Sequence, residues 1–276
     1  MDFDVYIQNL DGAVDRMTQY HERLGMWNMQ NRTNDIPTRF IYDIPSFDEL
    51  IQCEMWTNLP DDRIRQYALH RWYNAKASKV VEDIFCEYGA ERATRYQNIH
   101  EHIDIYINQT PFDIKVSNFP RNLNGRNRDY SKRVNRNYLI KNLYNDQSRD
   151  DSSRFCTNNR LFIVCKGANY SDNLRLKQNF EQMELKIKAY MEYLERYNYD
   201  INSLEVPNAR ENRLEQVFSE AIIINPEYEN LRVILEEEQC PDCGHSYEMS
   251  VARNEMFRGN FLLKCSNPKC HYYINI

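Results

Sequence analysis

Asp104, Asp113 and Lys115 stand close enough along the chain to share one site. Across Phe112–Ser117 the apolar residues Phe112, Ile114 and Val116 alternate with polar ones, so Asp113 and Lys115 share the opposite face of an extended strand. A second strand is predicted over Ile103–Asn108, with Asp104 on the face of His102 and Tyr106 and a polar turn at Gln109–Thr110. Paired through that turn, Asp104, Asp113 and Lys115 converge at the end of a sheet. Two carboxylates and a lysine suit hydrolysis of a phosphodiester: the carboxylates hold a divalent cation, and the lysine orients water and offsets negative charge. The plainer alternative is a half-exposed strand with a solvated charged face, which shows the same alternation.

These strands need neighbours to position them. Upstream, Lys76–Tyr88 has helical spacing, with Val81, Ile84, Phe85 and Tyr88 as its buried stripe, Glu82 at the border of that stripe and Gly89 as a stop. Glu87 and Glu91 are the fallback acids. Downstream, Arg160–Gly167 is a near-continuous apolar run, as in a central strand covered on both faces. Asp172–Tyr197 is predicted as one amphipathic helix and Ala221–Asn225 as a last buried strand.

The order of helix acid, aspartate and acid-x-lysine, at Glu82, Asp104, Asp113 and Lys115, resembles the PD-(D/E)xK nuclease superfamily. The resemblance implies a restriction-endonuclease-like α/β fold, a mixed sheet flanked by helices, and a DNA endonuclease with restriction or defence as its setting. It implies catalytic Mg2+, or Mn2+ in its place, held by Asp104, Asp113, the Ile114 carbonyl and Glu82, with Lys115 placing the attacking water. The Gln-x3-Tyr motif of one branch is absent, because Lys186 lies between Gln182 and Tyr190 at the helical spacing where that motif has its tyrosine.

After the hairpin comes a basic stretch. Arg121, Arg126, Arg128, Lys132, Arg133, Arg136 and Lys141 face a single acid, Asp129, in a chain of net charge −6. Such groups contact phosphates, and they also occur on solvated loops. Globally the chain is not a basic nucleic-acid binder, so any such surface is local. Residues 1–60 are predicted as an α-rich region, with a helix over Asp11–Leu24 and Ser46 capping Phe47–Trp56 through Glu49. No apolar run is long enough to span a membrane, and the acidic N-terminal stretch has no secretory pattern, which makes the cytoplasm the expected compartment and excludes a membrane partner.

Four of the eight cysteines cluster as Cys240-x2-Cys243 and Cys265-x4-Cys270 beyond an acidic hinge at Glu236–Glu238. Two short-spaced pairs complete a tetrahedral shell, so structural Zn2+ is expected, with His245 and His271 as spare ligands. The segment also resembles the four-cysteine zinc ribbon of bacterial type I topoisomerases through Cys-Pro-x-Cys-Gly at 240–244, Arg258-Gly259-x-Phe261 and Cys265-Ser-Asn-Pro-x-Cys270. That resemblance implies binding of single-stranded DNA through Phe257, Arg258, Phe261, Lys264, Lys269, Tyr272 and Tyr273; the alternative is a ribbon used for protein contacts or stability. The expected organisation is therefore 1–60 α-rich, 61–235 nuclease-like core and 236–276 ribbon. DNA, duplex or single-stranded, is the expected partner, with a second copy of the chain or companion defence proteins compatible with double-strand cleavage. Two rival readings are an inactive nucleic-acid-binding or partner-recruiting protein on the same core, and a nuclease acting on RNA.

Overall fold

The computed structural model describes residues 1–25, 32–93, 103–120, 123, 136–148, 158–208, 213–226, 231–251 and 261–276. Their centre is a six-stranded mixed sheet in the order β1-β2-β3-β4-β6-β5. The strands are β1 (Glu91–Arg92), β2 (Ile105–Ile107), β3 (Thr110–Asn118), β4 (Arg160–Cys165), β5 (Ser203–Asn208) and β6 (Arg213–Ile224). Strands β1, β2 and β3 form an antiparallel meander, β4 and β6 run parallel to β3, and β5 returns antiparallel at the far edge.

All six residues of β4 are buried, as its apolar sequence predicts for a strand covered on both faces. Leu161, Ile163 and Cys165 enter one core and Phe162 and Val164 the other. The first core is covered by α6 (Asp62–Glu87) and α9 (Phe180–Arg196), the second by Leu139, Ile140, Leu143 and Tyr144 of α7 (Arg136–Ser148). Because Lys115 is the register partner of Phe162, Asp113 and Lys115 belong to the α7 face.

The helix α6 is continuous over 26 residues. Asp61 caps it by accepting from the N–H groups of Arg63 and Ile64, and Gly89 at φ +102° ends it in the left-handed region that favours glycine. At the N-terminus, α1 (Asp4–Leu10) and α2 (Ala13–Leu24) are separated at Gly12, φ +76°. They are followed by the short helices α3 (Arg32–Asp35), α4 (Phe47–Gln52) and α5 (Glu54–Thr57). Ser46 caps α4 as expected, accepting from the Glu49 N–H at 3.3 Å while its hydroxyl donates to the Glu49 carboxylate at 2.9 Å. The helix expected through Trp56 breaks at Cys53.

Two further expectations change. The single helix over Asp172–Tyr197 is two, α8 (Tyr170–Leu176) and α9, because the Asn179 side chain accepts from the Gln182 N–H and starts a new helix. The last strand is longer than Ala221–Asn225, since Arg213–Phe218 pairs with β5 and its partly exposed edge carries no continuous apolar pattern.

The C-terminal sheet is β7 (Tyr247–Val251), β8 (Phe261–Cys265) and β9 (Tyr273–Asn275), antiparallel in that order. The acidic hinge is instead the end of a helix, α10 (Leu231–Glu237). Leu231, Ile234 and Leu235 of α10 pack with Leu185 of α9 and with Tyr247 and Leu263 of the ribbon. Val251 and Phe261 are part of the main core. The ribbon is therefore built onto α9 and does not hang from a free linker. Among the described residues no helix is long and apolar enough to cross a membrane.

Candidate active site and metal centre

The hairpin between β2 and β3 turns at Asn108–Gln109, both with positive φ (44° and 65°), one residue earlier than the sequence pattern suggests. Asp104 consequently lies beside Asp113. Its own N–H donates to the Phe112 carbonyl at 2.9 Å, and its Oδ2 accepts from the Ile114 N–H at 2.7 Å, so it straddles Asp113 along the backbone of β3. Ile114 thus directs its N–H to the Asp104 edge, and in an extended strand its carbonyl points to the same edge. Asp113 is 3 % exposed. Its Oδ1 accepts from Lys115 Nζ at 2.5 Å and its Oδ2 from Arg160 Nε at 3.2 Å. Burial raises the Asp104 pKa, and the charge of Asp113 raises it further, while the Ile114 N–H opposes both. The structure therefore brings Asp104, Asp113 and Lys115 together.

Glu82, on α6, lies near enough to Asp104 to feel its charge. Burial and then the field of Asp104 push its carboxyl up to about 7, against Arg92 and Lys79. Its nearest charged partner is Arg92 of β1, whose Nη1 donates to Glu82 Oε2 at 2.5 Å while Nη2 donates to Asp83. Arg92 bridges the two acids and holds Glu82 on the helix. The fallback acids Glu87 and Glu91 are exposed. Among the described residues the acids do not form a closely converged group of three; the four cysteines alone do. Two carboxylates and a strand carbonyl fit a hard divalent cation in donor type, and Glu82 joins them only by leaving Arg92.

Protein-family profiles, curated proteins and solved structures give no match to the chain.

The Sγ atoms of Cys240, Cys243, Cys265 and Cys270 all lie within 4.8 Å of one another. The pairs Cys240–Cys270 and Cys243–Cys265 are 3.7 Å and 3.4 Å apart. A tetrahedron of thiolates around zinc has S···S edges of about 3.8 Å, given Zn–S near 2.3 Å. The first knuckle is shaped by Gly244, whose N–H donates to the Cys240 carbonyl at 2.8 Å, and by the His245 N–H, which pulls the Cys243 thiol down to about 6. The imidazoles of His245 and His271 are exposed and outside this group, so four thiol sulfurs are positioned to bind a metal ion.

The nucleic-acid candidates separate. Arg121, Arg126, Arg128, Lys132, Arg133, Phe257 and Arg258 lie outside the described residues, as does His102. Arg136 is turned inward: its Nη1 stands 3.1 Å from the Glu220 carboxylate, both nearly buried, and its guanidinium lies over the Phe261 ring. Phe261 is 3 % exposed and packs under Lys186 as well, so it is a core residue and not a stacking platform for bases. Tyr272 is half-buried against Tyr247, whereas Lys264, Lys269 and Tyr273 are exposed. Lys264 has Glu248 within 3.9 Å.

Two residues of the site carried little sequence signal. Arg160 opens an otherwise apolar strand, and a charge at the first position of such a run is the trace it left. Arg92 sits in a two-residue strand that no pattern marks.

Proposed function

We propose that the chain is a Mg2+-dependent endonuclease acting on DNA, with structural zinc at the four cysteines. The observation that supports this reading most is the placement of two carboxylates on neighbouring strands, the half-buried Asp104 accepting from the Ile114 N–H and the buried Asp113, next to Ile114 in the chain, accepting from Lys115. Like-charged carboxylates are held together at a cost unless a cation is shared between them. Asp104, Asp113 and the Ile114 carbonyl are the groups that would hold the cation, with Glu82 added once released from Arg92. Bound there, a divalent cation supplies positive charge to the phosphoryl group and to the departing oxygen. Lys115 is 38 % exposed at its side chain and long enough to leave Asp113, orient a water and offset charge on the phosphate. Restriction or another defence against foreign DNA is the setting that analogy suggests.

A binding protein without activity is the second reading. What favours it is that Asp113 and Glu82 are already compensated, by Lys115 and Arg160 and by Arg92, as in a structural ion-pair cluster. Supercoiled plasmid, single-stranded DNA and RNA, each with Mg2+ or EDTA, separate these readings. The nuclease reading expects cleavage that needs Mg2+ and is lost in Lys115→Ala. Cleavage equal in wild type and K115A, or none on any substrate, overturns it.

A further inference from the structure

We propose that Arg160 is a positioning residue for the cation site: it fixes the Asp113 carboxylate with Oδ2 turned into the sheet and Oδ1 left free to change partner. This rests on the reading of Asp104 and Asp113 as cation ligands and adds a residue that the motif does not contain. The argument is the asymmetry between the two cations on Asp113. Arg160 is the register partner of Asp113 across β3 and β4, is 5 % exposed, and donates from Nε to Oδ2 at 3.2 Å. Its guanidinium lies 5.1 Å from the centre of the Tyr144 ring. Tyr144 is itself fixed, edge-on to Phe162 at 5.4 Å and donating its hydroxyl to the Asn158 carbonyl at 2.6 Å. The Arg160 carbonyl accepts from the buried Ser219 hydroxyl at 2.7 Å.

Lys115 differs on every count. It is an ammonium on a flexible stem, partly in solvent, and it contacts Oδ1. Exchange of Lys115 for a divalent cation leaves the Oδ2 contact intact, and the carboxylate keeps its rotamer through the exchange. Partners that orient a ligating carboxylate from behind act on metal affinity without touching the metal. A merely structural Arg160–Asp113 pair would affect folding and leave cation affinity alone.

The test is Mn2+ binding by calorimetry to full-length, zinc-loaded protein, with thermal unfolding recorded on the same samples. R160Q keeps a donor near Oδ2 and loses the charge and the planar fork; its Mn2+ dissociation constant is expected to rise roughly tenfold or more. R160K keeps the charge without the fork and is expected to show a smaller rise. R160Q that folds and binds Mn2+ as tightly as wild type overturns the inference alone. Should R160Q not fold, R160K decides, and wild-type affinity there overturns it. Wild type that binds no Mn2+, or binds it no better than D104N, overturns the cation reading itself and the inference with it.

Discussion

Replacing Asp113 with alanine removes more than a proposed cation ligand. Its carboxylate lies between two cations with different access to water: the Lys115 side chain is 38 % exposed and that of Arg160 is 6 % exposed. Lys115 loses a contact and is resolvated. Arg160 is left as a buried charge with its stacking on Tyr144 but without its carboxylate. Removing one partner of a buried ion pair costs about 3–5 kcal/mol. At roughly 2–4 °C per kcal/mol for a chain of this size, D113A should melt some 6–20 °C below wild type. The double variant D113A/R160M contains neither buried charge and should recover much of that loss, giving a coupling of about 1 kcal/mol or more in a double-mutant cycle. Circular-dichroism melts and urea titrations of wild type, both single variants and the double variant measure this. D113A as stable as wild type, or a double variant whose losses simply add, refutes the assignment of Arg160 as a buried charge dependent on Asp113. Cleavage by D113A therefore has to be measured well below its own midpoint, so that absence of chemistry is not absence of fold.

Lys186 supplies the pH dependence. It is 1 % exposed, donates to the Ile223 carbonyl at 2.8 Å, and burial followed by the charge of Arg136 lowers its pKa to about 7 from 10.5. Its folded pKa lies below its unfolded one, so the unfolded chain binds more protons between those values and this group adds stability as pH rises from about 7 toward 10. Lys186→Met should raise stability at pH 7 and flatten that rise; urea midpoints at pH 7 and pH 9 that move in parallel for both proteins count against it. Metal analysis of protein purified without added metal should find one zinc per chain at Cys240, Cys243, Cys265 and Cys270. Chelation should lower the midpoint of the whole protein, because Val251 and Phe261 of the ribbon are part of the main core; an unchanged midpoint would make the ribbon an independent module.

Local pattern was enough for several elements of this chain. The alternation over Phe112–Ser117 put Asp113 and Lys115 on one face, and the five apolar residues of β4, Leu161–Cys165, are all buried as such a run requires. Gly89 ends α6 and Ser46 caps α4 because those signals act within a few residues of the backbone they satisfy. The cysteine spacing was legible for the same reason, since a knuckle is a local turn. What the sequence could not decide depended on groups far apart in the chain. The turn sits one residue earlier, with positive φ at Asn108, a residue type that tolerates it, and at Gln109, and that placement puts Asp104 beside Asp113. Arg160 became part of the site only through the parallel register of β3 with β4, and Arg92 took Glu82 through a strand too short to leave a pattern. Phe261 looked like a surface aromatic by its motif, yet it is part of the main core with Lys186 of α9 and Arg136 of α7 against its ring, because an apolar ring is better buried there than exposed to water.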